Sequence, residues 1–242
     1  MQFLIMHRTS AHWENGASPT RELIERVGKM IGEIVASGKM LAGDGLRASS
    51  LGVRLQFAGG TRAIQKGPFA ESKDVIGGFV VMKVVSLEEA IEWSTKIASA
   101  LGDVEIDIRP VTEAWDIGLA EKPAGIATTR YMSTYKARGA EGGIPLSRAR
   151  AVKLDAQLAE MEGAGVLLSA VHLEPAAKGA CLVMSNGKPL VIDGPFVESK
   201  ELLGGFVILR EESLKDAVSW AERYQTGVGA AHVEVRQLIE RS

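Results

Sequence analysis

The segment DGPFVESKELLGGF at residues 193–206 occurs almost unchanged earlier in the chain, as KGPFAESKDVIGGF at residues 66–79. Nine of the fourteen positions are identical. The two copies start 127 residues apart, and Trp93 and Trp220 keep the same spacing. A period of this length is that of a small domain and is too long for a solenoid repeat, so the sequence predicts a tandem duplication of one domain.

The first half of each repeat is predicted as strand, helix, strand. Phe3–His7 is a short apolar strand, and Tyr131–Tyr135 is its counterpart. Apolar residues between positions 23 and 35 recur at spacings of three and four, which indicates an amphipathic helix. Ser18-Pro19 is the predicted start of this helix and Gly38 its stop.

The second half of each repeat is predicted as a hairpin followed by strand, helix and strand. Gly59-Gly60 and Asn186-Gly187 suit two-residue hairpin turns. Ser86 begins a capping box in front of the second helix, and Ser213 is its counterpart in the second repeat. Apolar residues alternate with charged ones from 104 to 109, which predicts a half-buried strand.

This order, β-α-β, hairpin, β-α-β, predicts an α+β fold made of tandem ferredoxin-like units. Each unit packs two helices on one face of an antiparallel sheet and leaves the other face open. We expect the two units to cover each other's open faces, as an intrachain dimeric α/β-barrel. The expected domains are residues 1–111 and 130–242, joined by a polar linker at 112–129 that lies outside the repeat.

Composition narrows the classes of partner. The chain has 242 residues and a formal net charge of −2, with no run of like charges, which argues against nucleic acid. No apolar run is long enough to span a bilayer, and no secretory signal opens the chain. Cys181, in an apolar stretch, is the one cysteine and is expected to be a buried inert thiol. We therefore expect a cytoplasmic protein whose partner is a small molecule, with further homodimerisation left open.

These residues resemble the YCII-related family, and more closely its DGPF subfamily. The resemblance rests on the two quoted segments, the helices SLEEAIEWS and SLKDAVSWA, and the strands IDIRPV and VEVRQL. It implies a ferredoxin-like fold of the dimeric α/β-barrel type. Some relatives use a His–Asp pair in a dechlorinating, lyase-like reaction, with the histidine in the first helix region. Neither residues 20–37 nor 147–163 contain a histidine here.

The glycines, proline and phenylalanine of the repeated segment have a structural explanation. Proline ends a strand, glycines allow a tight turn, and Phe69 and Phe196 anchor the turn in the core. The polar members are candidates for ligand binding or proton transfer. The predicted acid–base residues are Asp193, Glu198 and His172. The predicted ligand-binding residues are Glu71, Lys73, Lys200 and His7.

Lys66 stands where the second copy has Asp193. Three interpretations remain open: a site residue kept only in the second repeat, an ion pair between the two positions, or two solvated charges. No histidine spacing indicates zinc, and no glycine-rich phosphate motif indicates a nucleotide, so we expect no metal and no cofactor. The sequence favours binding of a small polar or aromatic molecule between sheet and helices, with cofactor-free acid–base chemistry. The resemblance implies that such chemistry would be of the lyase or dehydrochlorinase kind. The alternative is a non-catalytic regulatory or assembly module that binds a protein.

Overall fold

In the computed structural model the described residues are 1–69, 75–137, 146–194 and 202–239. The strands are β1 (Gln2–Arg8), β2 (Met40–Gly45), β3 (Val53–Ala58), β4 (Thr61–Lys66), β5 (Val75–Val84), β6 (Val104–Pro110), β7 (Thr129–Ala137), β8 (Leu167–His172), β9 (Ala180–Ser185), β10 (Lys188–Asp193), β11 (Leu203–Arg210) and β12 (His232–Gln237). The helices are α1 (Ala11–Glu14), α2 (Arg21–Ala36), α3 (Leu87–Leu101), α4 (Arg148–Gly163) and α5 (Leu214–Val228). The α+β class is confirmed.

The first compact unit contains residues 1–45, 173–194 and 202–239 of the described chain. Its antiparallel sheet has the order β10-β9-β12-β1-β11-β2. The four strands β12-β1-β11-β2 have the ferredoxin-like order, and the β9–β10 hairpin extends one edge. Residues of α2 and α5 pack on one face around a core that includes Phe3, Ile5 and Val207.

The second compact unit contains residues 46–69, 75–137 and 146–172 of the described chain. Its sheet has the equivalent antiparallel order β4-β3-β6-β7-β5-β8. Here α3 and α4 cover one face, around a core that includes Leu55, Val80 and Ile106.

The compact units and the sequence repeats divide the chain differently. The segment β1-α2-β2 belongs to the first repeat, yet it completes the sheet built from β9 to β12 of the second repeat. The segment β7-α4-β8 belongs to the second repeat and completes the sheet of the first. The repeats at 1–111 and 130–242 thus exchange their first β-α-β segments. The barrel arrangement of the two units stays a prediction.

The hairpin turns are as predicted. Gly59 and Gly60 have φ of +55° and +77°, and Asn186 and Gly187 have φ of 49° and +75°. Positive φ at both central residues is the geometry that matches the twist of a two-residue hairpin.

The predicted start of α2 at Ser18-Pro19 is wrong. Thr20 is the N-cap, because its hydroxyl accepts a hydrogen bond from the Leu23 amide at 3.2 Å. The predicted caps of α3 and α5 are confirmed: Ser86 accepts from the Glu89 amide and Ser213 from the Asp216 amide, each at 3.2 Å.

Candidate functional site

The predicted site residues fall into two groups. His7, His172 and Asp193 lie at or near strand ends in the described structure. The remaining four lie outside the described residues: Glu71, Lys73, Glu198 and Lys200. Asp193 is the last residue of β10 and is exposed, as is Lys66 at the end of β4.

The first histidine site consists of His7, Tyr224, Gly204 and Gly205. His7 is the next-to-last residue of β1, on the sheet face that the helices cover. Its Nδ1 atom lies 2.7 Å from the hydroxyl oxygen of Tyr224 on α5. The two ring centroids are 5.6 Å apart. This hydrogen bond therefore fixes the orientation of a partly exposed imidazole at the end of the sheet.

The glycine pair of the repeated segment makes room for this ring. A Cβ atom at Gly204 would lie 2.7 Å from His7 Nε2, and one at Gly205 would lie 2.9 Å from His7 Cε1. Such contacts are too short for any side chain. From the sequence we expected these glycines to allow a tight turn. The structure shows that they also leave space for an aromatic ring from the neighbouring strand.

The electrostatics keep the first site neutral. Burial lowers the pKa of His7 to about 4, since the charged imidazolium loses its hydration. Burial likewise raises the pKa of Tyr224, which keeps the phenol protonated. At neutral pH the pair is an imidazole and a phenol. It can exchange hydrogen bonds with a ligand but offers it no charge.

The second histidine site consists of His172, Tyr135 and Gly78. Tyr135 occupies in β7 the position that His7 has in β1, since they pair with the equivalent glycines Gly78 and Gly205. A Cβ atom at Gly78 would lie 2.2 Å from the Tyr135 hydroxyl. In both units, therefore, a ring from the first strand lies on a glycine of the repeated segment.

The hydrogen bonds of the second site define the histidine tautomer. The Tyr135 hydroxyl donates to the carbonyl of Val171 at 2.8 Å, and its oxygen lies 3.1 Å from Nδ1 of His172. A phenol has one proton to donate, so His172 Nδ1 must be the donor in its contact with Tyr135. Nε2 is then the basic nitrogen of His172.

Sequence reasoning missed a buried ionic cluster in the second unit. It consists of Arg54 on β3, Glu105 and Asp107 on β6, and Lys136 on β7, all 5% exposed. Arg54 donates to both carboxylate oxygens of Asp107 at 2.6 and 2.9 Å. Lys136 donates to Asp107 at 2.5 Å and to Glu105 at 3.3 Å. The four charges balance one another.

The prediction that β6 is half-buried is therefore wrong, because every residue of this strand is buried. Burial by itself would raise the pKa of Asp107, but Lys136 and Arg54 together hold it below its ordinary value. Alternation of charged and apolar residues indicates which side chains share a face, but it does not reveal that the charged face is buried.

The phenylalanine of the repeated segment covers this cluster. Phe69 is buried, and the guanidinium carbon of Arg54 lies 4.8 Å from the centre of its ring. Its backbone amide also donates to the Ser49 hydroxyl at 3.2 Å. The structural role predicted for Phe69 is thus confirmed, with a cation–π partner that the sequence did not indicate. Phe196 lies outside the described residues.

The first unit has different residues at the equivalent positions. Cys181 lies directly opposite Glu234, as Arg54 lies opposite Asp107. Glu234 forms a buried ion pair with Arg8 on β1. Cys181 is buried, as expected. The two units are therefore not chemically equivalent.

Membrane-spanning helices and clusters of metal-binding side chains are both absent from the described part of the chain. None of its helices is both long enough and apolar enough to cross a membrane. Across the same residues, histidine, cysteine and carboxylate side chains do not gather in groups of three that would hold a metal ion.

Comparison with known proteins gives the same family twice. The YCII-related domain matches residues 1–113 and again residues 132–241. A similar protein is the "Uncharacterized protein R00369" of Rhizobium meliloti (strain 1021), which is 41% identical over 58 residues. That match covers 24% of this chain and 47% of the relative. No solved structure matches the chain. The chain belongs to the YCII-related family and carries two copies of its domain.

Proposed function

We propose that the protein binds a small polar or aromatic molecule on the helix-covered side of its sheets, beside the two histidine sites. One observation carries this proposal. In each unit an aromatic ring from the first strand lies on a glycine of the repeated segment, and a tyrosine–histidine hydrogen bond holds it there. His7 and His172 are both partly exposed, so a ligand at this end of either sheet can reach an oriented imidazole.

The two sites suit different roles. A histidine with a pKa near 4 is a weak base, so His7 is assigned to ligand binding through neutral hydrogen bonds. His172, whose Nε2 is the basic nitrogen, is the proposed proton acceptor for cofactor-free chemistry of the lyase or dehydrochlorinase kind. Asp193 and Glu198 stay proposed as acid–base groups, and Glu71, Lys73 and Lys200 as ligand contacts.

The test uses protein with ¹³C-labelled histidines and a panel of phenol, catechol, benzoate and 4-hydroxybenzoate. The Cε1 resonances of the four histidines are followed as each compound is added. We expect saturable shifts at His7 or His172 and none at His12, which is exposed on α1. Tyr224→Phe or Tyr135→Phe should weaken binding at its own site about tenfold, because each removes the hydroxyl that orients the ring.

The proposal is overturned if compounds from the panel bind without moving either resonance, or if none binds. His172→Gln separates binding from catalysis. It should weaken binding at the second site about as much as Tyr135→Phe does, and it should abolish any proton-transfer reaction found with a bound compound, because glutamine is not a base.

A protein-binding module is the second candidate. Three consecutive aliphatic residues of the edge strand β10 are exposed: Leu190 by 53%, Val191 by 38% and Ile192 by 40%. Exposed aliphatic edges pair readily with another chain. Light scattering over a concentration series tests whether the chain associates through β10, and Val191→Lys should abolish such association while leaving ligand binding unchanged.

A further inference from the structure

The exchanged segment β1-α2-β2 lies at the centre of the unit it joins. β1 pairs with β11 on one side and with β12 on the other, so both of its neighbours come from the second repeat. Its residues Phe3, Leu4, Ile5 and Met6 are at most 1% exposed. Without β1, the strands of the second repeat would lose the middle of their sheet.

The helices of the exchanged segments also pack on the other repeat. Arg26 on α2 donates to the Gly227 carbonyl on α5 at 2.8 Å. A Cβ atom at Gly227 would lie 2.4 Å from the sulfur of Met30, so the two helices are in close contact. Glu33 on α2 forms an ion pair with Arg223 on α5.

The second unit has the equivalent helix pair, but here the exchanged helix, α4, comes from the second repeat and packs on α3 of the first. Lys96 on α3, from the first repeat, pairs with Glu160 on α4, from the second, at 2.6 Å. Lys96 and Arg223 are equivalent residues of the duplication, 127 positions apart. Each unit thus has the same helix–helix ion pair, and in each unit the pair joins the two repeats.

The first histidine site is composite for the same reason. His7 comes from the first repeat, whereas Tyr224 and the glycine pair beneath the ring come from the second. Neither repeat contains this site alone.

We propose that the two repeats recognise each other through the exchanged β-α-β segments, so that the halves of the chain remain one folded complex, with the first histidine site intact, after the linker is cut. The binding partner of each half is therefore the other half. In the first unit the halves meet where β1 pairs with β11 and β12. In the second unit they meet where β7 pairs with β5 and β6. This association does not depend on the proposed ligand, so it can fail or succeed independently of that function.

The experiment cuts the intact protein. Residues 118–127 are all exposed and lie outside the named strands and helices. A recognition sequence for a specific protease inserted between Lys122 and Pro123 allows cleavage of the folded chain. We expect one species of unchanged mass in size-exclusion chromatography, two bands on a denaturing gel, and an unchanged His7 resonance.

Cross-linking distinguishes two structures. In one, the repeats exchange their first β-α-β segments; in the other, each repeat folds by itself and the two then associate. The test variant is Glu33→Cys with Arg223→Cys, which joins the two fragments if α2 packs on α5. The matched control is Glu33→Cys alone, which leaves a short bismaleimide no second introduced cysteine to join. Lys96→Cys with Glu160→Cys repeats the test in the second unit.

With exchange, the cleaved and cross-linked test variants run as one band of full mass on a denaturing gel, and the single-cysteine control runs as two fragments. Separation of the halves after cleavage overturns the proposal. The proposal is also overturned if the test variants do not link the two fragments, or if they link them only in a dimer fraction. The second test pair preserves the experiment if substitution at 33 or 223 prevents folding.

Discussion

At Gly67 and Gly194 the chain backbone passes another backbone segment too closely for a side chain. A Cβ atom at Gly67 would lie 1.9 Å from the Ser49 carbonyl oxygen, and one at Gly194 would lie 2.2 Å from that of Ala176. Backbone cannot move aside as the end of a flexible side chain can. The glycine that opens the Gly-Pro-Phe motif is therefore required by packing.

Gly67→Ala should lower the free energy of unfolding by about 1–3 kcal/mol or more, because the methyl group forces the backbone apart. Urea unfolding measures the effect. The control is Gly28→Ala on the exposed side of α2, where nothing lies within 4 Å of the new Cβ. It should stabilise the protein by about 0.5–1 kcal/mol, since glycine is costly inside a helix. Equal effects of the two substitutions would contradict this account.

The depressed pKa of His7 makes stability depend on pH. The unfolded chain binds a proton at His7 near its ordinary pKa of 6.5, and the folded chain only near 4. Stability from this group is therefore present above pH 6.5 and is lost as the pH falls towards 4. Between pH 7 and pH 5 the loss should be about 2 kcal/mol, measured by urea unfolding.

His7→Gln should remove this part of the pH dependence, because glutamine does not titrate. His12→Gln, at the exposed surface, should leave it unchanged. If both variants keep the wild-type slope, the histidine that is hydrogen-bonded to Tyr224 is not the source of this pH dependence.

At the scale of elements, the ionic cluster connects β3, β6 and β7 across one face of the second sheet. The cluster stabilises the sheet only when all four charges are present, because removing one of them leaves an opposite charge buried without a partner. Asp107→Ala leaves Arg54 and Lys136 without their shared carboxylate and should cost about 3–5 kcal/mol in unfolding free energy.

The matched control for Asp107→Ala is the exposed ion pair of Arg21 and Glu25 on α2, whose side chains are 92% and 65% exposed. Glu25→Ala should cost less than about 1 kcal/mol, since water solvates both charges. A similar cost for the two substitutions would mean that the cluster is hydrated in solution.

At the scale of the whole molecule, exchange predicts that a core substitution in β1 of the first repeat destabilises the unit that contains β9 to β12 of the second repeat. Ile5 in β1 and Ile108 in β6 both belong to the first repeat and are both fully buried, but they lie in different units. Trp220 packs on the core of the first unit and Trp93 on that of the second. The fluorescence of each tryptophan therefore reports on one unit.

Ile5→Ala should cost about 2–5 kcal/mol and lower the unfolding midpoint reported by Trp220 more than that reported by Trp93. Ile108→Ala should do the reverse. Single-tryptophan variants in a urea titration measure both midpoints. Trp93 belongs to the same repeat as Ile5. If Ile5→Ala lowers the unfolding midpoint reported by Trp93 more than that reported by Trp220, the segments are not exchanged in solution.

The candidate site was predictable only in part. His7 and His172 were predicted from their places at strand ends, which local patterns indicate, and their roles stay predictions. Their tyrosine partners were not predicted, because Tyr224 lies 217 residues from His7 along the chain and no short pattern joins them. Glu105 and Asp107 were expected on an alternating strand, but their burial depends on Arg54 and Lys136 from the neighbouring strands β3 and β7.

The duplication, the order of the main strands and helices, and the hairpin turns are predictable from the sequence, because they depend on repeated segments, periodicity and turn chemistry. The YCII-related family follows from the resemblance of the repeated segments to that family, which the family match confirms. The repeat that supplies the first β-α-β segment of each sheet is evident only from the observed strand pairing. The two repeats have similar patterns, so a strand such as β1 can satisfy its local burial in either sheet. The sheet that β1 joins depends on contacts between residues distant in the chain, such as those of β1 with β11 and of α2 with α5. A pattern over a few neighbouring residues does not predict such contacts.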